Sequence, residues 1–472
     1  MNNLEEIVNS FATPSLLVMR KIRSGKSKAT IAYHPDLVDT MLLTELIKAV
    51  EIMGKSEINA LLDRAVVIAE SKLIYSDEEI TEALLTGDAV IELDDFADAM
   101  VLCNIRKWDK RAIAEPPTAT VMRGPREGFI EDLKTNLSLI ERKLKSSTLA
   151  VERLTLGRIS KTSVAVVYLD GVADKGVVAT VKKRLEKIEL DGVIDSHYIQ
   201  PLLEEKPHSI FHQTGVTEKP DIVAAKLLEG RVAVIVDGSP MVITVPFMFI
   251  EDFQSSEDYY ERASLATFLR FMRLISVFFS VLLPGLYVAL QEYHYSMIPL
   301  RFLITVMTAV NGIPLSPLSE ILFVILLFEI IREASVRMPR AVGMAMSIVG
   351  ALVLGDTAVK AGIISSPAVM ITALSSIALF AAPNQEGTFT LLRVVFTFLG
   401  GFGGMYFLLI GSLYLALYLC SLNGYGVPYT APFAPLIKQD LKDSFYRVSL
   451  MRMENRPFSL GGKNKKRRGR TK

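Results

Sequence analysis

The chain has 472 residues with 52 basic and 51 acidic side chains, so its net charge of +1 gives no bulk attraction for nucleic acid. Half of the residues are hydrophobic and the mean hydropathy is +0.34, yet 22% are charged, which fits only a chain whose charge and apolarity are segregated. Two cysteines, Cys103 and Cys420, one in each half, argue against a disulfide framework.

Residues 1 to about 265 are dense in Lys, Arg, Asp and Glu, and about 268 to 423 is mostly Leu, Ile, Val, Phe, Ala and Gly. The start "MNNLEEIVNS" carries acids where a signal peptide carries bases, so membrane insertion is expected to be directed by later segments and the polar half to stay in the cytoplasm. Residues 36 to 72 show helical spacing broken at Gly54, with Ser56 as the cap of a second helix. Ser76 with Glu79 three residues on forms a capping box, and Gly87-Asp88 turns into a short strand. "WDKRAIAEPPTATVMRGPREGF" reads as a linker and "IEDLKTNLSLIERKLKSSTLAVERL" as a helix.

From Thr162 the period changes. "TSVAVVYLDG" reads as a strand, "VVATVKKRLEKIEL" and "KPDIVAAKLLEGR" as helices, and "VAVIVDGSPMVITVP" as a hairpin around Asp237 to Pro240. The expected fold class is an α+β cytoplasmic region followed by a polytopic α-helical membrane domain. Its parts are a mostly helical subdomain (1–110), a linker and helix (111–154), a small α/β subdomain (155–246), a juxtamembrane connector (247–273), a membrane domain (274–423) and a tail that is basic at its end (424–472).

Leu274 to Gln291 has about the 18 apolar residues of a span, and "LSEILFVILLFEII" and "PAVMITALSSIALFAAP" follow as further candidates. The last apolar run, "LLRVVFTFLGGFGGMYFLLIGSLYLALYLCSL", is longer than a bilayer requires and must tilt, bend at its glycines or project. Arg262, Arg270 and Arg273, then Arg332, Arg337 and Arg340, then seven bases in "GGKNKKRRGRTK" form three basic clusters. Placing all three on the cytoplasmic side gives four crossings. "IPLRFLITVMTAVN" and the stretch Arg337 to Ser366 are then left as re-entrant or in-plane pieces.

Intramembrane charge is expensive and marks aqueous paths. The ion-path candidates are Glu320, Glu329, Arg332, Glu333, Asp356 and Lys360. Asp356 and Lys360 stand i, i+4 and read equally as pore-lining or as interfacial charges; Glu329, Arg332 and Glu333 also read as a local ion-pair cluster at a helix end. Gly343, Gly350, Gly355 and Gly362, with Ala345, Ser347 and Ala351 among them, are candidates for close helix packing. Gln254, Asp258, Tyr259 and Tyr260, just before the first span, are candidates for coupling the polar half to the membrane. His208 and His212 have helical metal spacing but no third ligand, and the basic tail is explained by topology and anionic lipid. No Walker A, GxGxxG or HExxH pattern occurs, and nothing points to catalysis or to a cofactor.

"RGPREGFIEDLKTNLSLIERKL", "TEKPDIVAAKLLEGRVAVIVDGSPMVITVPFMFIEDFQSSEDYYER", "SIVGALVLGDTAVKAG" and "GYGVPYTAPFAP" resemble the A subunits of bacterial spore germination receptors of the GerA type, from about Arg111 to Pro435. The resemblance implies a subunit of a nutrient germinant receptor in the spore inner membrane, assembled with a transporter-like B subunit and a lipoprotein C subunit. It further implies homo-oligomerisation, as a pentamer, into a ligand-gated cation channel. Glu141 stands where arginine is usual in that family, and Ile325 where many members carry glutamate. The alternatives are a subunit of a dipicolinate-release-associated channel complex, whose family shares this architecture, and a solute transporter. No internal repeat of the transporter kind is visible.

Overall fold

The computed structural model describes residues 3–24, 27–52, 71–93, 100–105, 107, 116, 121–339, 342, 343, 348, 350, 355–462 and 464–467. The expectations at Gly54, Ser56, Arg340, Ala345, Ser347 and Ala351, and over most of the linker, fall outside these residues.

The first unit is built on a sheet in which α1 (Leu4–Asn9), β1 (Val18–Ser24), β2 (Ser27–Tyr33), α2 (Thr40–Ile52), β3 (Ser71–Ile74), α3 (Asp77–Thr86), β4 (Ala89–Leu93) and β5 (Met100–Cys103) follow in chain order. The strands are antiparallel in the order β1-β2-β4-β5-β3. Ile31 and Ile91 bury one face under α2, and Ala32 and Val90 bury the other under α1 and α3. This corrects the mostly helical expectation for 1–110. The edge strand β1 keeps only Ile22 buried among Arg20, Lys21 and Arg23, so it lacks the apolar alternation of a half-buried strand. Ser76 caps α3 as expected, its Oγ accepting from Glu78 N–H at 3.2 Å, and Gly87 closes the helix at φ +90°, but the expected capping box is not closed, because Glu79 Oε2 accepts from Tyr75 N–H at 3.5 Å.

The second unit is a three-layer sandwich. Its elements are α4 (Leu133–Lys143), β6 (Leu149–Leu156), β7 (Thr162–Leu169), α5 (Lys175–Glu186), α6 (Ser196–Leu203), β8 (Gly215–Thr217), α7 (Pro220–Glu229), β9 (Val232–Val236) and β10 (Val242–Val245). The sheet is antiparallel in the order β6-β7-β9-β10-β8, with α4 and α7 on one face and α5 and α6 on the other. The β9–β10 hairpin lies where the Asp-Gly turn placed it. Residues 149–154, expected to be helical, are instead in β6, because Val151 and Leu149 pair with Val167 and Leu169 and fill the core above α4. The sheet therefore begins at Leu149, ahead of the expected residue 155.

The apolar half is a helical bundle: α8 (Ala263–Glu292), α9 (Leu300–Val310), α10 (Pro317–Arg337), α11 (Gly355–Lys360), α12 (Ser366–Leu379) and α13 (Glu386–Ser421). Straight, the 36 residues of α13 would extend about 54 Å. They do not, because Gly404 takes φ +61° and ψ −148°, a conformation that only glycine adopts readily, and α13 folds there into two arms. Both arm ends meet one loop of the second unit: Thr388 Oγ1 donates to Ile210 O, and Tyr418 Oη lies 2.9 Å from Ser209 Oγ. The bend sits at the far end of α8, where Tyr293 Oη donates to Gly401 O at 2.8 Å.

The same two ends locate the remaining helices. α10 starts at the far end, its Leu318 N–H on Glu292, and reaches the near end where Arg332 meets Glu386. α12 starts at the far end, where Ser365 N–H meets Glu320, and Leu379 closes against the near-end cluster with Phe389. Among the described residues five helical segments run between these two ends, α8, α10, α12 and the two arms of α13. α9 lies in the chain between the far end of α8 and the start of α10. Among the described residues, Ala263–Glu292 and Pro383–Ser421 are long and apolar enough to cross a membrane. Their outer surfaces expose Phe268, Phe271, Phe278, Phe402, Leu409, Leu413 and Leu417.

The first arm of α13 and α8 touch backbone to backbone: a Cβ on Gly400 would overlap the Gly285 carbonyl, and one on Gly285 the Phe396 carbonyl. We expect Gly400→Leu to lower thermal stability in detergent by an amount equivalent to at least about 1–3 kcal/mol. Gly387→Ala, with open space around it, should be neutral or slightly stabilising. Equal unfolding temperatures for the two variants would contradict this packing.

Candidate functional site

The connector between the sandwich and α8 is two short turns. The second is capped reciprocally: Ser255 Oγ accepts from Glu257 N–H at 3.4 Å, and Asp258 Oδ2 accepts from Ser255 N–H at 3.2 Å. This turn points the Asp258 carboxylate at the first turns of α8, where Arg270 and Arg273 share a face at i, i+3. Arg270 Nε donates to Asp258 Oδ2 at 2.8 Å, and Arg273 grips both carboxylate oxygens at 3.0 Å. Asp258 and Arg270 are buried, at 1% and 2% exposure.

The tail returns from α13 to complete the cluster. Arg270 Nη1 donates to Asp443 O at 2.8 Å, to Asp443 Oδ1 at 3.1 Å and to Ser444 O at 3.1 Å. Tyr259 Oη donates to Asp443 Oδ2 at 2.9 Å, and Gln254 Nε2 to Asp443 O at 2.6 Å. Arg447 donates to Glu261 O at 2.7 Å and to Tyr259 O at 3.3 Å, while its guanidinium and that of Arg270 lie 5.5 and 5.7 Å from the centre of the Tyr259 ring. Tyr260 turns the other way, donating to Asp221 Oδ2 at 2.9 Å on α7. Burial raises the Tyr259 hydroxyl well above the ordinary phenol range, with Asp443 adding to it, and burial likewise raises the Asp443 carboxyl despite Arg270. The structure thus brings Gln254, Asp258 and Tyr259 into one latch and puts Tyr260 on the sandwich beside it. Asp443 and Arg447 were not singled out in the sequence, where 173 to 189 residues separate them from these partners and no local pattern marks them.

A second buried cluster joins the sandwich to the connector. Arg231 pairs with Glu251, and Lys226 Nζ lies 3.1 Å from the same carboxylate. Burial opposes ionisation of Glu251, but Arg231 and Lys226 outweigh it and hold this carboxyl below its usual range. The adjacent Asp252 has no such partner. It is 5% exposed, neither carboxylate oxygen has a hydrogen-bond partner, and burial pushes its pKa up to about 8, with Glu251 adding to the rise and Gln385 and Lys226 opposing it.

Within the bundle the ion-path candidates divide. Glu329 pairs with Arg332 at 2.5 Å and with Arg393, which is wholly buried and also donates to Ser376 Oγ at 2.9 Å; Arg332 reaches Glu386 at 2.6 Å. Two acids and two bases thus tie α10 to the first arm of α13. Arg393 was legible as a lone base inside an apolar run, and Glu386 was not. Glu320 is wholly buried, its Oε1 accepting from Ser365 N–H. Glu333 pairs with Arg337 at 2.5 Å and Asp356 with Lys360 at 2.5 Å, both on exposed surface. Among the glycines, Gly343 would place a Cβ 2.7 Å from Ser335 O and Gly350 one 3.2 Å from Ile331, both contacts to α10 of the same chain. Gly355 has only Val369 at 4.0 Å, and Gly362 has open space at φ +67°. Ile325 packs with Tyr287 and Ala368, and Glu141 faces His34 Nε2 at 3.3 Å between the two polar units. His208 and His212 do not form a metal cluster; among the described residues no group of three or more His, Cys, Asp or Glu does.

Residues 5–459 match the family model described as Bacillus/Clostridium GerA spore germination protein. The chain belongs to the GerA family. It is 37% identical to spore germination protein KA of Bacillus subtilis (strain 168), over 99% of this chain and 88% of that protein. To spore germination protein GerLA of Bacillus cereus it is 34% identical, over 98% and 95%, and to the uncharacterized membrane protein YfkQ of Bacillus subtilis 37%, over 86% and 79%. A crystal structure of the N-terminal domain of the A subunit of the Bacillus megaterium spore germinant receptor GerK3 is similar at TM-score 0.40 and 24% identity, covering 52% of this chain and 92% of that one.

Asp252 gives this joint a defined pH dependence. A carboxyl whose pKa is raised on folding contributes most below its ordinary value near 4, and that contribution is lost as pH rises towards about 8. Between those limits each pH unit removes about 1.4 kcal/mol. Thermal unfolding in detergent from pH 5 to 8 should show Asp252→Asn gaining steadily on wild type. A constant difference between the two would contradict a neutral Asp252.

Proposed function

We propose that the chain is the A subunit of a spore nutrient germinant receptor, held in the spore inner membrane by its helical bundle. We place its two polar units and its tail on the core side. In this reading several copies, five in a closed ring, form a ligand-gated cation channel. A transporter-like B subunit senses the nutrient, and a lipoprotein C subunit completes the receptor. The latch at Asp258 carries the proposal: it fastens the polar domain, the first membrane helix and the returning tail at one buried point, which is what transmission between a sensing assembly and a membrane path requires. The contact of the tail with the start of α8 and with the connector supports a common side for the polar domain and the tail, and the basic residues at that end support the core side. Glu320, buried in the bundle without a counter-charge, supports ion passage over a purely structural anchor, because unlike the paired cluster around Arg393 it joins no helices through an ion pair.

Tyr259 and Tyr260 divide the connector's contacts between the tail and the sandwich. Spores carrying Tyr259→Ala with Tyr260→Ala should accumulate the protein yet fail to release potassium on nutrient addition. Asp356→Asn, on the exposed face of α11, should leave crosslinked oligomer size intact and change the rate of cation flux. A normal potassium release in the double variant, together with unchanged flux in Asp356→Asn, would contradict the reading.

A further inference from the structure

Two clusters of charge lie inside the bundle, and they differ in one respect. The near-end cluster is balanced, with Glu329 and Glu386 against Arg332 and Arg393. Glu320, at the far end, is not. It is wholly buried among Ile321, Val324 and Ile325, and no Lys, Arg or His among the described residues pairs with it. Its Oε1 accepts the Ser365 N–H; its Oε2 has no partner. An ionised carboxylate so placed carries a desolvation penalty of several kcal/mol that a single N–H does not offset.

Tyr287 packs against Ile321 and Ile325 of the helix that carries Glu320, and Gln291 lies one turn further along α8. Gln291 Nε2 donates to Tyr287 Oη at 3.0 Å, which turns Gln291 Oε1 away from that bond, and this oxygen is also buried without a partner. Tyr287, 7% exposed, stands in the field of Glu320, and the hydroxyl of Ser365, 1% exposed, accepts from Ala368 N–H at 3.3 Å as the cap of α12, beside the N–H that Glu320 accepts. Two unpartnered acceptors together with two hydroxyl oxygens make a set of hard donors that lacks positive charge. The other acid at this end, the half-buried Glu292, is committed to Leu318 N–H at the start of α10. A single uncompensated negative charge fits a monovalent cation, since a divalent ion would leave a positive excess in the bundle.

We propose that Glu320, Gln291, Tyr287 and Ser365 form a binding site for a dehydrated alkali cation, sodium or potassium, inside each chain and between α8, α10 and α12. The site is distinct from the exposed Asp356–Lys360 pair and belongs to one subunit rather than to a ring axis. It deepens the cation-channel reading and rests on it only for its physiological use, because binding to one chain requires neither assembly nor conduction.

The test is thermal unfolding of the full chain in detergent, with sodium or potassium chloride replacing N-methyl-D-glucamine chloride at constant ionic strength. Wild type should show a saturable rise in unfolding temperature with at least one of the two ions. Glu320→Gln, which keeps shape and removes the charge, should lose the rise. Gln291→Leu should shift it to higher salt, and this second variant decides the matter if Glu320→Gln fails to fold. A flat wild-type response to both ions overturns the proposal, as does a full response in both variants. A wild type indifferent to cations whose stability instead tracks pH through Glu320 means that the group holds a proton, which overturns it as well. A chain that responds to the ion but passes none in vesicles contradicts the channel reading and leaves the site standing.

Discussion

The rest of the structure depends on the carboxylate of Asp258. One buried acid holds two arginines of the first membrane helix, caps the connector turn that precedes them, and lies one residue from the tyrosine that reaches the tail. Removing one partner from such a group is far more disruptive than its net contribution to folding, because the remaining charges are left buried and unpaired. That asymmetry lets a small displacement of the connector be felt at once by α8 and by the tail. The Tyr259 ring between Arg270 and Arg447 adds a second, polarisable contact at the same point.

The bundle below the latch is arranged so that its near end can respond. Both arm ends of α13 touch the loop containing Ser209 and Ile210, and Tyr429 Oη donates to the His212 carbonyl of the same loop at 2.9 Å. A rigid 36-residue helix could not do this; the bend at Gly404 makes it possible. The balanced cluster around Arg393 then fixes the register of α10 against the first arm, and the backbone contact between Gly285 and Gly400 fixes α8 against it. The polar domain therefore rests on a packed element with defined geometry rather than on a loose anchor.

Much of this was legible in the sequence, for identifiable reasons. The β9–β10 hairpin was marked by Asp237-Gly238, α3 by Ser76, and the coupling residues by aromatic and acidic side chains immediately ahead of an apolar run. The first sheet was hidden because β1 is a charged edge strand. β6 was hidden because "LAVERLTL" continues the helical spacing of α4 until its pairing with β7 is known. The glycine run in the last apolar segment allowed a bend, a tilt or a projection, and only the backbone at Gly404 selects among them. Asp443 and Arg447 could not have been chosen, since their role comes entirely from the chain's return across the bundle. Glu320 was visible as a charge in an apolar helix, but its lack of a counter-charge is a property of three helices together.

The central claim is that connector and tail act as one unit through the bond from Tyr259 Oη to Asp443 Oδ2. A functional double-mutant cycle tests it most directly: the nutrient concentration for half-maximal potassium release, measured in spores carrying Tyr259→Phe, Asp443→Ala or both. Each single change should shift that concentration, and the double variant should shift it no further than the larger single one, because both remove the same bond. Additive shifts, or no shift in any of the three, would contradict the account.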